Sequence, residues 1–209
     1  RSSTVTVTAG ARPRRSRARG YTWQEALKTK AFWLIALGHA CSSTVIVVVT
    51  VHLGLMLGDR GFSLQMISWV IATYTGFGAL FTLVGGYVGD RLPIRVVLFT
   101  FSSVQSVAIV VLFLSDSTYF TFLFAVLLGI GFGARTPLTT SVRGVYFGRR
   151  AFASITGMSQ LPMNVILTSA PLFAGYMYDY TGSYEVPFLT VAVVSFLGSA
   201  LFLFLGKPT

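Results

Sequence analysis

Arg135 sits inside a run that is otherwise almost free of charge, from Thr121 to Val142. A guanidinium keeps its charge at any ordinary pH and is costly to hold in an apolar surround. Its planar fork matches a carboxylate through two parallel, charge-assisted hydrogen bonds. Two other roles stay open: bonding carbonyls freed by Pro137, or pairing with an acid from another segment. Other polar side chains interrupt such runs, Ser42, Ser43, Thr44, Thr136 and Thr139 among them, and four are candidate site residues: His39, Tyr74, Gln160 and Asn164. His39 has an unperturbed pKa of about 6.5 and could carry a proton, or serve as a neutral hydrogen-bond donor. Tyr74 could present its hydroxyl to a cavity or pack between helices. Gln160 and Asn164 could contact a ligand or bond between helices. His52, nearer the other end of its run, has the same alternatives as His39. No Asp or Glu falls within these runs.

Composition tells what surrounds these groups. Of 209 residues, 54% are hydrophobic and 11% charged, with a mean hydropathy of +0.73, which is membrane composition. Spanning the hydrocarbon takes about 20 mostly apolar residues, and six stretches qualify: 31–57, 66–89, 94–114, 119–146, 152–178 and 185–205. They are long and unalternated, unlike barrel strands. The expected fold is an all-α, six-transmembrane-helix bundle.

The net charge of +10 does not imply nucleic acid, because the basic residues alternate between connections. Arg1, Arg12, Arg14, Arg15, Arg17, Arg19, Lys28 and Lys30 precede the first run, and Arg91, Arg95, Arg143, Arg149, Arg150 and Lys207 fall at every second connection. Asp59, Asp116, Asp179 and Glu185 mark the opposite connections, with Arg60 the exception. The bias places both termini in the cytoplasm. At 1.5 Å of rise per residue, His39 and Gln160 lie about 12 Å, Arg135 about 16 Å and Asn164 about 18 Å from the basic helix ends. Secondary transporters bind solute at such a level. Pro137 and Pro162 each remove a backbone hydrogen bond there, and Gly129, Gly131 and Gly133 weaken the preceding turns, so both helices are expected to bend.

Residues 1–20 contain no acid and little to bury, and read as a disordered basic cytoplasmic linker. Residues 21–30 suit a short amphipathic segment at the interface, and 206–209 a cytoplasmic tail. The chain begins with Arg and is expected to be a fragment. Cys41 is the single cysteine and can form no internal disulfide.

The connection Gly85-Gly86-Tyr87-Val88-Gly89-Asp90-Arg91-Leu92-Pro93-Ile94-Arg95 resembles the cytoplasmic signature loop of the major facilitator superfamily between helices 8 and 9. Gly86, Asp90, Arg91 and Arg95 match, whereas Pro93 and Ile94 stand where that family more often has Gly and a basic residue. The stretches 144–152 and 170–184 are similar to the helix 10–11 and 11–12 regions of its monocarboxylate and oxalate:formate porter branch. The resemblance implies that the six helices are numbers 7–12, the C-terminal half, with 7, 8, 10 and 11 facing a central cavity. It also implies a missing N-terminal six-helix half as partner. Asp90 could then pair with Arg95 or Arg149 as a latch when the cytoplasmic side is closed; an ordinary interfacial ion pair is the plainer alternative.

The function this reading implies is secondary active transport of a small organic anion, a mono- or dicarboxylate, by alternating access in the plasma (inner) membrane. Arg135, His39, Asn164, Gln160 and Tyr74 would line the substrate site, and membrane lipid would contact the basic face. A drug or sugar transporter on the same fold is the alternative. Neither a G-x-S-x-G elbow, an H-E-x-x-H pair nor paired intramembrane aspartates occur, so an intramembrane enzyme has little support. No metal or cofactor is expected.

Overall fold

Thr29, Ser63 and Ser117 each precede a long apolar stretch, and each hydroxyl accepts a backbone N–H three residues on, from Phe32, Met66 and Phe120. Such caps satisfy donors that a helix start leaves bare. The computed structural model describes residues 20–206; apart from Gly20, the basic linker expected over 1–20 lies outside them, as does the expected tail beyond Gly206. Its helices are α1 (Trp23–Leu27), α2 (Lys30–Asp59), α3 (Leu64–Gly89), α4 (Ile94–Phe113), α5 (Thr118–Phe147), α6 (Phe152–Thr181) and α7 (Glu185–Leu201), with a 3-10 turn at Phe202–Phe204. Gly148 and Gly182, at φ +73° and +68°, end α5 and α6 in a region that favours glycine. Thr22 and Glu25 close α1 with a reciprocal capping box.

The six long helices alternate in direction, as the contacts along them require. His52 and Asp59 of α2 meet Pro171 and Tyr178 of α6, so these two run the same way. Thr44 of α2 meets Val191 of α7, while Gly38 faces Gly198, so that pair is antiparallel. Likewise Ser106 and Phe113 of α4 meet Ser195 and Phe188 of α7.

The closest approach is between α3 and α5, which run parallel. A Cβ on Gly133 would lie 2.1 Å from the Gly78 carbonyl oxygen, and one on Gly85 would lie 2.0 Å from that of Ala134. Only glycine permits such backbone contact. Gly129 faces Tyr74 on the same seam, while Gly131 packs on Phe101 and Gln105 of α4. This corrects the expectation that these glycines loosen α5: they are contact points.

Both α5 and α6 continue through their prolines. Pro137 frees the carbonyl of Gly133, four residues back; the Thr82 hydroxyl, which donates chiefly to the Gly78 carbonyl of its own helix at 2.8 Å, shares its hydrogen with it across the seam at 3.3 Å.

Two apolar clusters fill the bundle. One, at the acidic ends of the helices, gathers Val45 to Leu57 of α2 with Leu112, Phe124, Leu128 and Phe188. The other, at the basic ends, gathers Phe32, Ile35, Leu98, Leu138 and Phe202. Between them α2, α4, α5 and α7 each contribute buried polar side chains.

Among the described residues, five of the long helices carry a stretch apolar enough to cross a bilayer. The sixth, α6, has 30 residues, about 45 Å at 1.5 Å each. It is more polar than its neighbours, and of its side chains only Ile155, Ser159, Ala170 and Ala174 are buried.

Candidate functional site

Arg135 lies in this polar layer, on the face of α5 that meets α2, and only 2% of it is exposed. Its Nη1 donates to two hydroxyls, Ser42 Oγ at 2.9 Å and Ser43 Oγ at 3.1 Å. Consecutive serines can both reach it because their own hydroxyls turn back to the His39 carbonyl. The Nε of Arg135 is buried without a partner among the described residues. Since the two Nη1 hydrogens are engaged, Nε and Nη2 remain, the edge of a guanidinium that takes a carboxylate side-on.

The backbone of Ser42 is fixed from behind. Its carbonyl accepts from Gln105 Nε2 of α4 at 3.0 Å and from Ser195 Oγ of α7 at 3.3 Å. Ser106 in turn donates to Ser195 at 2.9 Å. These bonds tie four helices at the level of Arg135, so Gln105 serves packing.

One turn nearer the basic ends is a second buried guanidinium. Arg143 is also 2% exposed, which corrects its assignment to the basic membrane face. Nε donates to Ser159 Oγ of α6 at 2.8 Å, Nη1 donates to the Thr139 carbonyl, and Nη2 lies 3.1 Å from His39 Nδ1. A guanidinium has donors only, so Nδ1 accepts and the His39 imidazole carries its proton on Nε2. His39 is half-buried and sits between the two arginines, with Arg143 on its ring and Ser43 on its carbonyl.

Two unit charges 6 to 10 Å apart repel by roughly 2 kcal/mol at an effective dielectric of 20. Here every hydrogen-bond partner of the two arginines among the described residues is neutral, and none of the chain's six acids lies in the interior of a long helix. The one ion pair among the described residues is remote: Arg60 Nε to Asp116 Oδ1 at 3.3 Å. Arg60 also donates to the Leu112 carbonyl and lies over the Phe113 ring. It caps the α4 end, which accounts for its place among acids.

The structure thus brings Arg135 and His39 together and adds Ser42, Ser43, Thr139, Ser159 and Arg143. The other expected substrate residues stand apart from them. Tyr74 is on α3, packed against the acidic-end cluster. Gln160 is half-buried and Asn164 exposed on α6, and neither makes a side-chain hydrogen bond among the described residues. His52 Nε2 lies 3.1 Å from the Pro171 carbonyl.

At the basic end, Asp90 and Arg95 border a cleft of about 420 Å³ with Leu138, Ser141, Tyr146 and Gly206. Asp90 makes no ion pair there among the described residues. Arg95 instead donates to the Leu205 carbonyl at 3.1 Å, and Arg91 lies 3.5 Å above the centre of the Tyr87 ring. Gly86 has open space on its Cβ side, and Arg149 is exposed.

Arg143, which a linear count leaves at the interface, carries a usable signal in the sequence. Arg135, Thr139 and Arg143 recur every fourth position, one face of a helix.

The family model of the Major Facilitator Superfamily matches residues 8–209. Over 190 residues the chain is 26% identical to the protein called monocarboxylate transporter 11 from Mus musculus, an alignment covering 87% of this chain and 42% of that protein. The chain therefore spans less than half the length of this relative.

Proposed function

Because the chain belongs to the major facilitator superfamily, and so to a multi-pass membrane protein, we propose that it works as the C-terminal six-helix half of a secondary transporter for a small organic anion. Alternating access would come from rocking of this half against an N-terminal half. The observation that carries the reading is Arg135: buried, held by two hydroxyls through Nη1, and left with an unpartnered Nε. A carboxylate supplies the missing acceptor and the missing negative charge together. The name of the relative, monocarboxylate transporter 11, supports a solute of this class.

His39 belongs to the same site through Arg143 and Ser43. Asn164, Gln160 and Tyr74 would join it from the walls of the cavity when the two halves enclose solute. Asp90 closes onto Arg95 or Arg149 in the state sealed toward the cytoplasm, with Gly86 allowing close approach and Arg91 beside it. The Lys and Arg bias supports cytoplasmic termini, and exposed Arg149 and Arg150 suit anionic lipid. The plasma (inner) membrane is the corresponding location.

Arg135→Lys tests this reading, because it keeps the charge and removes the fork. In proteoliposomes, apparent affinity for a transported carboxylate is expected to fall tenfold or more. Unchanged affinity for every carboxylate tested overturns substrate contact at Arg135.

A further inference from the structure

The anion reading above leaves one buried cation unused. Arg143 is as deeply buried as Arg135, it is bonded only to neutral groups, and no acid of this chain lies inside its long helices away from their ends. One bound carboxylate would neutralise one guanidinium and leave the other.

The two side chains converge although their backbones do not. Eight residues separate them on α5, about 12 Å of helix. Their anchors on α2 are His39 for Arg143 and Ser43 for Arg135, four residues or about 6 Å apart. Each guanidinium has five N–H donors. Arg143 uses three, leaving one hydrogen on each terminal nitrogen. Arg135 leaves the Nε hydrogen and both on Nη2. Unsatisfied donors therefore remain on both cations.

Resting on the proposed transport of organic anions, we infer that Arg135 and Arg143 form one bivalent site whose preferred solute is a short dianion, a dicarboxylate with its two groups a few ångströms apart. Arg135 takes one carboxylate along its Nε edge and Arg143 takes the other. His39 is a positioning residue: as an acceptor it turns Arg143 toward α2, while Ser159 holds the Nε side. Arg143 sets specificity for charge number, and Arg135 serves any carboxylate.

The full native protein in proteoliposomes gives the test, with labelled succinate and propionate as probes for matched di- and monocarboxylates. Wild type is expected to show at least tenfold higher affinity for succinate. Arg143→Gln should abolish that preference, weakening succinate at least tenfold more than propionate. His39→Ala should weaken succinate in part. Equal wild-type affinities, or equal losses for both probes in Arg143→Gln, overturn the bivalent site while leaving anion transport standing. Failure of wild type to recognise either probe, or any other carboxylate, removes the anion reading itself and the inference with it. Where Arg143→Gln does not insert, the wild-type comparison decides alone.

Discussion

Gly133→Ala places a methyl group 2.1 Å from the Gly78 carbonyl oxygen, with the Gly78 carbonyl carbon and Cα at 2.7 Å. Ordinary contact begins at 3.4 Å, so α3 must retreat by about 1.3 Å locally. All three obstructing atoms are backbone, and no rotamer change relieves them. Overpacking of this kind costs about 1–3 kcal/mol, and the upper end applies because the seam is backbone on backbone. Replacing glycine in a helix returns about 1 kcal/mol. The net loss is about 2 kcal/mol, or a fall of about 4–8 °C in melting temperature for a chain of this size. Gly54→Ala is the matched control, since nothing lies within 4 Å of its added methyl. Thermal unfolding in detergent, followed by size-exclusion fluorescence, should show Gly133→Ala falling while Gly54→Ala holds or rises. Equal melting temperatures for the two variants would refute the argument that α3 and α5 touch through their backbones.

Two further outcomes follow from the same geometry. Thr82→Val keeps shape but removes the hydroxyl hydrogen that the Gly78 and Gly133 carbonyls share, so about 1 kcal/mol should be lost; supplying Gly133 with a backbone donor in Thr82→Val/Pro137→Ala should recover part of it in the same melting assay. The Glu25 carboxyl is held below its ordinary value, first by the Thr22 backbone N–H and then by its hydroxyl. A depressed folded value means that the cap is present above the ordinary carboxylate range and is lost as pH falls through the folded value. Protection of the Thr22 amide, which donates to the Glu25 carboxylate, should fall in that acid window relative to its intrinsic exchange rate, and Glu25→Gln should remove the pH dependence.

The fold class was legible because its signal is long-range in sequence: uninterrupted apolar runs, charges confined to connections, and a loop from Gly86 to Arg95 resembling that of the family. Arg135 was legible for the opposite reason, as a charge where none belongs. Arg143 was not, because it lies four residues from the end of α5, close to Arg149 and Arg150, and a linear count assigns it to the interface. Only the long side chain, folded back along α5 toward His39, takes it inside. Ser42 and Ser43 were visible as polar residues, but their partner depends on how α2 crosses α5. Gly129 and Gly133 were read for local weakness, when their meaning lies in the neighbour they admit.

The polarity of α6 has a consequence for biogenesis. A helix carrying Gln160, Asn164 and two prolines partitions into lipid less readily than its neighbours, so its entry into the bilayer depends on company. Synthesis delivers α2 and α5 first. By the time α6 emerges, Arg143 already projects the donor that Ser159 accepts, and His52 awaits the Pro171 carbonyl. Insertion of α6 is then expected to depend on helices made before it, and a fault in α2 or α5 should strand α6 outside the hydrocarbon.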